Sequence, residues 1–335
     1  MAFSTLARYC APRASRGARK AHVVSTRPIL TALLLGVTLL QPSCSRSPHP
    51  GQPTAAAGAA PRTEAAGNGA PLIVDSDDLV HIEYHIFGSG SPAVVLIHGW
   101  SCNSSYWRAQ IEDLARRYTV VTLDLGGHGA SGRNRSDWSV DNYAADVAAV
   151  ARQLPAPTLV LVGHSMGGPV ALAAAARIGA RVIGIIGVDT FKSIGLPPPP
   201  RSQIEQELAP FRSDFIGTMH SFVPEHLFAP GADPAFVRKV TDDMARASPE
   251  VALASLISLN EMDFSTVLPR IHVPIIAINS DLGEATDETR ITRAAPTLRV
   301  ITLKGTGHFL MMEAPQRFNP VLLEQIAALA ANPRT

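Results

Sequence analysis

The chain has 335 residues, and its Lys+Arg count of 29 against Asp+Glu 28 leaves a formal net charge of +1. That balance gives no electrostatic case for a nucleic-acid partner or a polyanionic substrate, and favours small, largely neutral ligands. Apolar residues make up 46%, enough for a sizeable core, while no apolar run approaches the roughly 20 residues that span a bilayer.

The N-terminal stretch does not read as part of that core. Arg8, Arg13, Arg16, Arg19, Lys20 and Arg27 precede any acidic residue, and a compact apolar run, Ile29 to Leu40, follows them. This pattern predicts an export signal over 1–44. It ends in Gln41-Pro42-Ser43-Cys44, which resembles the lipobox of bacterial lipoproteins in its small residue before the cysteine, although Gln41 stands where an apolar residue is usual. The expectation is an exported protein, periplasmic or held at a membrane by lipid on Cys44. Simple secretion, or a cytoplasmic protein with a mis-set start, are the alternatives. Residues 45–71 are rich in Ala, Gly and Pro and predict a disordered linker. Of the cysteines Cys10, Cys44 and Cys102, only Cys102 falls in the remaining chain, so no disulfide is expected within the folded domain, 72–335.

Apolar strands and helical patterns then alternate. Strands are expected at Val80–Phe87, Ala93–Ile97, Val120–Leu123, Leu159–Val162, Val182–Val188, Ile275–Ile278 and Val300–Leu303. Helical spacing joins Trp107, Ile111, Leu114 and Tyr118, and again Leu322, Ile326 and Leu329, with Asn319 a candidate N-cap and Pro320 the first helical residue. Alternation of this kind implies a doubly wound, mostly parallel sheet. It is interrupted at about 191–262, where Ile204, Leu208, Phe211, Phe215 and Met219 recur at helical spacing; Ser202 with Glu205 has capping-box spacing, and Asp233-Pro234 and Ser248-Pro249 look like further helix starts. This interval reads as a helical cap over the carboxyl ends of the strands, where open α/β sheets bind ligands.

Chemistry enters at 159-LVLVGHSMGGPV-170, where an apolar strand runs into Gly163-His164-Ser165-Met166-Gly167 and then an alanine-rich helix. The glycines of G-x-S-x-G let strand and helix approach closely and hold the Ser165 hydroxyl proud of the sheet edge. A serine nucleophile needs a base and a group to orient it. The strongest candidate base is His308, between the last strand and the terminal helix.

With 94-VVLIHGW-100, 124-DLGGHGASG-132, 163-GHSMGG-168, 274-PIIAINSD-281 and 305-GTGHFLMMEAPQRF-318 in this order, the chain resembles the α/β-hydrolase superfamily over nearly all of 80–330. The resemblance implies that fold, with a helical cap inserted after its sixth strand, Ser165 as nucleophile and His308 as general base. It implies an oxyanion hole formed by the backbone N–H groups of Trp100 and Met166. The orienting acid is expected at Asp281, although the glycine usual before it is missing from Asn279-Ser280-Asp281; Asp189, at the end of Val182–Val188, is the alternative. His164 and His128 read as structural. No metal or nucleotide motif competes, so no cofactor is expected. The resulting expectation is a serine hydrolase acting on a small or medium carboxylic ester. C–C bond hydrolysis or acyl transfer by the same residues, and a noncatalytic ligand-binding member of the fold, are the alternatives.

Overall fold

The structure is a computed structural model that describes residues 67–331 apart from Glu284. The expected export signal, Cys44 and most of the expected linker lie outside the described residues. Eight strands, β1 (Gly67–Asp75), β2 (His81–Gly88), β3 (Ala93–Ile97), β4 (Thr119–Leu123), β5 (Leu159–His164), β6 (Val182–Val188), β7 (Ile275–Ser280) and β8 (Leu298–Leu303), form one sheet ordered β1-β2-β4-β3-β5-β6-β7-β8. β2 runs antiparallel to β1 and β4, and every other pairing is parallel. The expected doubly wound, mostly parallel sheet is therefore present.

Every residue of β3, β5, β6 and β7 is buried. Their unbroken β-branched and leucine runs suit strands covered on both faces by helices. α1 (Arg108–Ala115), α2 (Val140–Gln153) and α3 (Gly167–Ile178) follow β3, β4 and β5 in turn. Between β6 and β7 the chain leaves the sheet to build α4 (Arg201–Ser213), α5 (Phe215–His226), α6 (Pro234–Met244), α7 (Pro249–Glu261) and the short α8 (Phe264–Val267). α9 (Glu288–Ala294) links β7 to β8, and α10 (Leu310–Glu313) leads into α11 (Pro315–Ala331).

Three local expectations are corrected. The sheet begins at Gly67, inside the expected linker, because β1 pairs with β2 along its length despite a register shift between Asn68 and Pro71. The terminal helix starts at Pro315, so Asn319 and Pro320 lie within it. Asn319 does not cap; it donates to the Ala109 carbonyl at 2.8 Å and to Asp113 at 2.7 Å and accepts from Gln110 at 2.8 Å, tying α11 to α1. Ser202 is likewise inside α4, which starts after Pro200, and Glu205 pairs with Arg201 at 2.9 Å instead of closing a capping box.

One buried ion pair braces the loop that follows β4. The Arg135 side chain is 3% exposed and donates to both oxygens of Asp146, which is fully buried, and to Asp78 at 2.8 Å. Asp146 Oδ2 also accepts the Gly126 N–H at 2.9 Å. Removing one partner would leave an uncompensated buried charge, so Arg135→Met is expected to lose about 3–5 kcal/mol of stability. Urea unfolding checks this, and the Arg135→Met/Asp146→Leu double variant should recover a large part of the loss.

Candidate active site

The site is built on a sharp turn at the end of β5. Ser165 has φ of 52°, a left-handed conformation that a side-chain-bearing residue adopts only where its surroundings enforce it. Enforcement comes from both sides: the Ser165 N–H donates to the Val188 carbonyl at 2.9 Å and the Ser165 carbonyl accepts from Gly168 at 3.0 Å. The turn closes only because two positions lack side chains. A Cβ on Gly163 would lie 2.0 Å from the Gly167 carbonyl oxygen, and one on Gly167 would lie 2.5 Å from that of Ile97. The hydroxyl of Ser165 is thereby lifted into the cavity above the sheet.

His308, in the loop after β8, lines the same cavity. Its Nδ1 donates to Asp189 Oδ2 at 2.6 Å. An ionised carboxylate can only accept, so the ring proton sits on Nδ1 and Nε2 is left with a lone pair. The expectation of Asp281 as partner is thus corrected. Asp281 is exposed and accepts the Gly305 N–H at 2.6 Å, away from His308. The physical reason is the β6–β7 pairing: Asp189 N–H donates to the Ile278 carbonyl at 2.9 Å, which sets Asp189 beside Ser280, and Ser280 gives Asp189 Oδ1 both its N–H at 2.9 Å and its hydroxyl at 2.8 Å. The next residue, Asp281, turns toward the β8 side. Burial opposes ionisation of Asp189, but the Lys192 ammonium, then His308 and the Ser280 N–H, together hold its carboxyl well below the usual carboxylate range.

Three further residues fix His308, and none had been given that role from sequence. His164 Nε2 donates to the His308 carbonyl at 2.9 Å. Glu313 accepts the N–H of Gly307 at 2.9 Å and of Phe309 at 3.2 Å, the two residues flanking it. Lys192 reaches Asp189 Oδ1 at 3.1 Å. A signal for the first two lay in the motifs themselves, since His164 neighbours the serine and Glu313 follows His308 by five residues within the same motif; Lys192 is three residues from Asp189 and had none.

The cavity measures about 130 Å³, some ten times the ~10–15 Å³ that admits a single water. Away from the polar cluster its walls are apolar, including Trp100, Phe222, Met244, Leu256 and Phe264. Trp100 joins the two halves of the wall: its indole N–H donates to the Ala252 carbonyl of α7 at 2.8 Å and its ring meets Phe211 of α4 edge-on at 5.9 Å. Trp100 lies in the turn after β3 and Met166 follows Ser165 directly at the start of α3, and no carbonyl among the described residues accepts from the backbone N–H of either. His98 shapes the β3 turn, bonding the Gly99 carbonyl through Nδ1 and accepting the Leu125 N–H at Nε2. Among the described residues no group of three His, Cys, Asp or Glu could hold a metal ion.

Comparison with known proteins agrees with this fold. The alpha/beta hydrolase family matches residues 94–321. The chain belongs to that family. A non-heme haloperoxidase of Rhodococcus erythropolis is 29% identical over 76% of this chain and 99% of its own, and 3-oxoadipate enol-lactonase 2 of Acinetobacter baylyi is 28% identical over 72% and 91%. The solved structure of a thermophilic esterase from Thermogutta terrifontis superposes with a TM-score of 0.68 at 22% identity, covering 78% of this chain and 99% of that one. A higher identity, 44%, to uncharacterized proteins of Mycobacterium bovis and Mycobacterium tuberculosis is confined to 89 residues, and the chain spans about a quarter of the length of those relatives (26%).

Burial keeps several histidines around this α/β-hydrolase site neutral. It lowers His98, and it lowers His128 and His164 to about 3, helped in the latter two by the neighbouring rings of His98 and His308. In the unfolded chain each would take a proton near pH 6.5. The unfolded state therefore binds more protons between about pH 6.5 and 3, and stability that is complete above this window is lost as pH falls through it, by about 1.4 kcal/mol per pH unit for each of His128 and His164, with His98 acting in the same direction. Glu313 and Asp146, raised by burial, act in the opposite sense and offset part of the loss. The urea midpoint is expected to drop clearly between pH 7.5 and 5.5; a flat profile would contradict the neutral, buried state of these rings.

Proposed function

We propose that the protein is a cofactor-independent serine hydrolase that cleaves small or medium carboxylic esters through an acyl-enzyme at Ser165. The observation that carries this reading is the 2.6 Å bond from His308 Nδ1 to Asp189, which leaves His308 Nε2 free as a base in the cavity that also exposes the Ser165 hydroxyl. His308 Nε2 takes the Ser165 proton as Oγ attacks the acyl carbon. The tetrahedral oxyanion is stabilised by the N–H groups of Trp100 and Met166, each worth roughly 3 kcal/mol. Collapse expels the alcohol with the proton returned by His308, and water then repeats the sequence to release the acid. Asp189 stays ionised throughout and supports the imidazolium. The names of the enol-lactonase and esterase relatives favour an ester or lactone as substrate, and the apolar cavity walls favour an uncharged acyl group.

A fluorophosphonate probe tests the reading: labelling is expected at Ser165 and should vanish in Ser165→Ala. On an ester that is turned over, Asp189→Asn is expected to lower kcat by roughly 10⁴-fold, because the histidine loses both its tautomer and its counter-charge. Asp281→Asn should retain most of the rate. The opposite ranking would return the role of acid to Asp281.

We also infer, from sequence alone, that the mature enzyme is exported and held at a membrane surface by lipid on Cys44. Mass spectrometry of the mature N-terminus from the native host is expected to find a diacylated Cys44. An intact Met1 on soluble cytosolic protein would refute export.

A further inference from the structure

The Asp189 carboxylate serves a histidine and a lysine. His308 bonds Oδ2 at 2.6 Å, and Lys192 bonds Oδ1 at 3.1 Å. Lys192 is no wandering surface side chain. Its side chain is 17% exposed, its Nζ also reaches the Leu282 carbonyl at 3.4 Å, and its own carbonyl accepts from Arg290 at 2.8 Å. The loop that delivers it is unusual: Asp189 and Phe191 both have left-handed φ, 46° and 66°. Such a conformation is strained at a non-glycine residue and persists only where the surroundings demand it. Here it turns the chain back on itself, so that the ammonium returns to the carboxylate three residues earlier.

Ser280 already satisfies Oδ1 with an N–H and a hydroxyl, so hydrogen bonding alone does not require a lysine there. What the lysine adds is charge. The titratable side chains around His308 come from several packed elements: His164 at the end of β5 donates to its carbonyl, Asp189 after β6 bonds its ring, Glu313 of α10 accepts from the residues on either side of it, and His226 of the cap lines the same cavity, while Asp281 beyond β7 is held away on Gly305. Among the described residues only Lys192 places a second positive charge on the carboxylate that faces the His308 ring.

Resting on the hydrolase reading above, we infer that Lys192 is a positioning and tuning residue: by sharing Asp189 it makes proton uptake by His308 less favourable than an unshared aspartate would, and so extends activity to lower pH. When His308 accepts a proton, the imidazolium meets a carboxylate whose charge Lys192 has partly neutralised, and the two cations repel across it. The base therefore stays unprotonated further into the acid range. The strong depression of the Asp189 carboxyl, to which Lys192 contributes more than any other lowering group, is the same coupling seen from the carboxylate.

The decisive experiment compares wild type, K192M, K192Q and K192R in two measurements. The first is the pH profile of kcat/KM on an ester; the second is the ¹H–¹⁵N titration of the His308 ring, assigned by difference from H308N. With the charge removed, K192M and K192Q should move the midpoint of the acid limb and of the ring titration upward by about one pH unit, which is roughly a tenfold loss of kcat/KM well below the midpoint. K192R, which keeps the charge, should stay near wild type. A uniform fall in kcat/KM at every pH with the midpoints unmoved would make Lys192 a structural clamp and overturn the inference. Retention of the wild-type ring midpoint in both neutral variants would overturn it as well. The ring titration needs no turnover, so a shifted midpoint in a protein that hydrolyses no ester would sink the proposed function while leaving the role of Lys192 intact.

Discussion

The arrangement depends on one buried charge. Asp189 is 7% exposed, and an ionised carboxylate there is tolerable only if its oxygens are filled by donors and opposite charge. His308, Lys192 and the two Ser280 donors meet that demand. Each comes from a different part of the chain: the loop after β8, the loop after β6 and the end of β7. The same electrostatic requirement that makes an isolated Asp189 costly therefore draws three strand ends together, and the place where they meet is the mouth of the cavity beside Ser165. Removing any one donor would leave the others to compensate a charge they only partly neutralise.

The serine is held by the opposite means, through absence of atoms. Gly163, Gly167 and Gly99 all sit where a Cβ would run into backbone or into His164 and Ser165, at 2.0, 2.5 and 2.8 Å for the nearest atoms. Strand β5, helix α3 and the β3 turn can therefore close on one another to backbone contact. His164 and Met166 are buried on either side of Ser165, which at the apex of the turn is left lining the cavity. Rigid packing thus sets Ser165 while a charged network sets His308, and the two supports respond to different perturbations. Steric change acts on the first; pH and charge removal act on the second.

What could be read from the sequence follows the same division. The glycines flanking Ser165 leave a local signature because the constraint is local, and the buried strands leave theirs in unbroken apolar runs. His308 was legible from its place between the last strand and the terminal helix. The partner of His308 was not, since it depends on how β6 and β7 register against each other: Val188 pairs with Ile278, which sets Asp189 beside Ser280 and leaves Asp281 facing Gly305. Two aspartates at neighbouring strand ends look alike until that register is known. Lys192 was invisible for a further reason, because its return to Asp189 requires left-handed backbone at two residues, Asp189 and Phe191, whose identities do not announce it. The start of the terminal helix misled for the reverse reason. Asn319-Pro320 has the local chemistry of a helix start, yet long-range hydrogen bonds from Asn319 to α1 recruited the asparagine into the helix interior.

The helices between β6 and β7 are fastened to these same elements, which bears on how the cavity can change shape. The His308 N–H donates to the Leu227 carbonyl just past α5 at 2.8 Å, and the Trp100 indole donates to the Ala252 carbonyl of α7 at 2.8 Å. Phe309, beside His308, packs against Phe228 with ring centroids 5.4 Å apart. One fastening thus ends on His308 and another on Trp100, in the turn after β3. A displacement of α5 pulls on the His308 loop, and a displacement of α7 pulls on the β3 turn. An outward displacement of these helices would consequently move His308 and the β3 turn together with the cavity wall, so the shape of the cavity and the placement of the groups that line it change together.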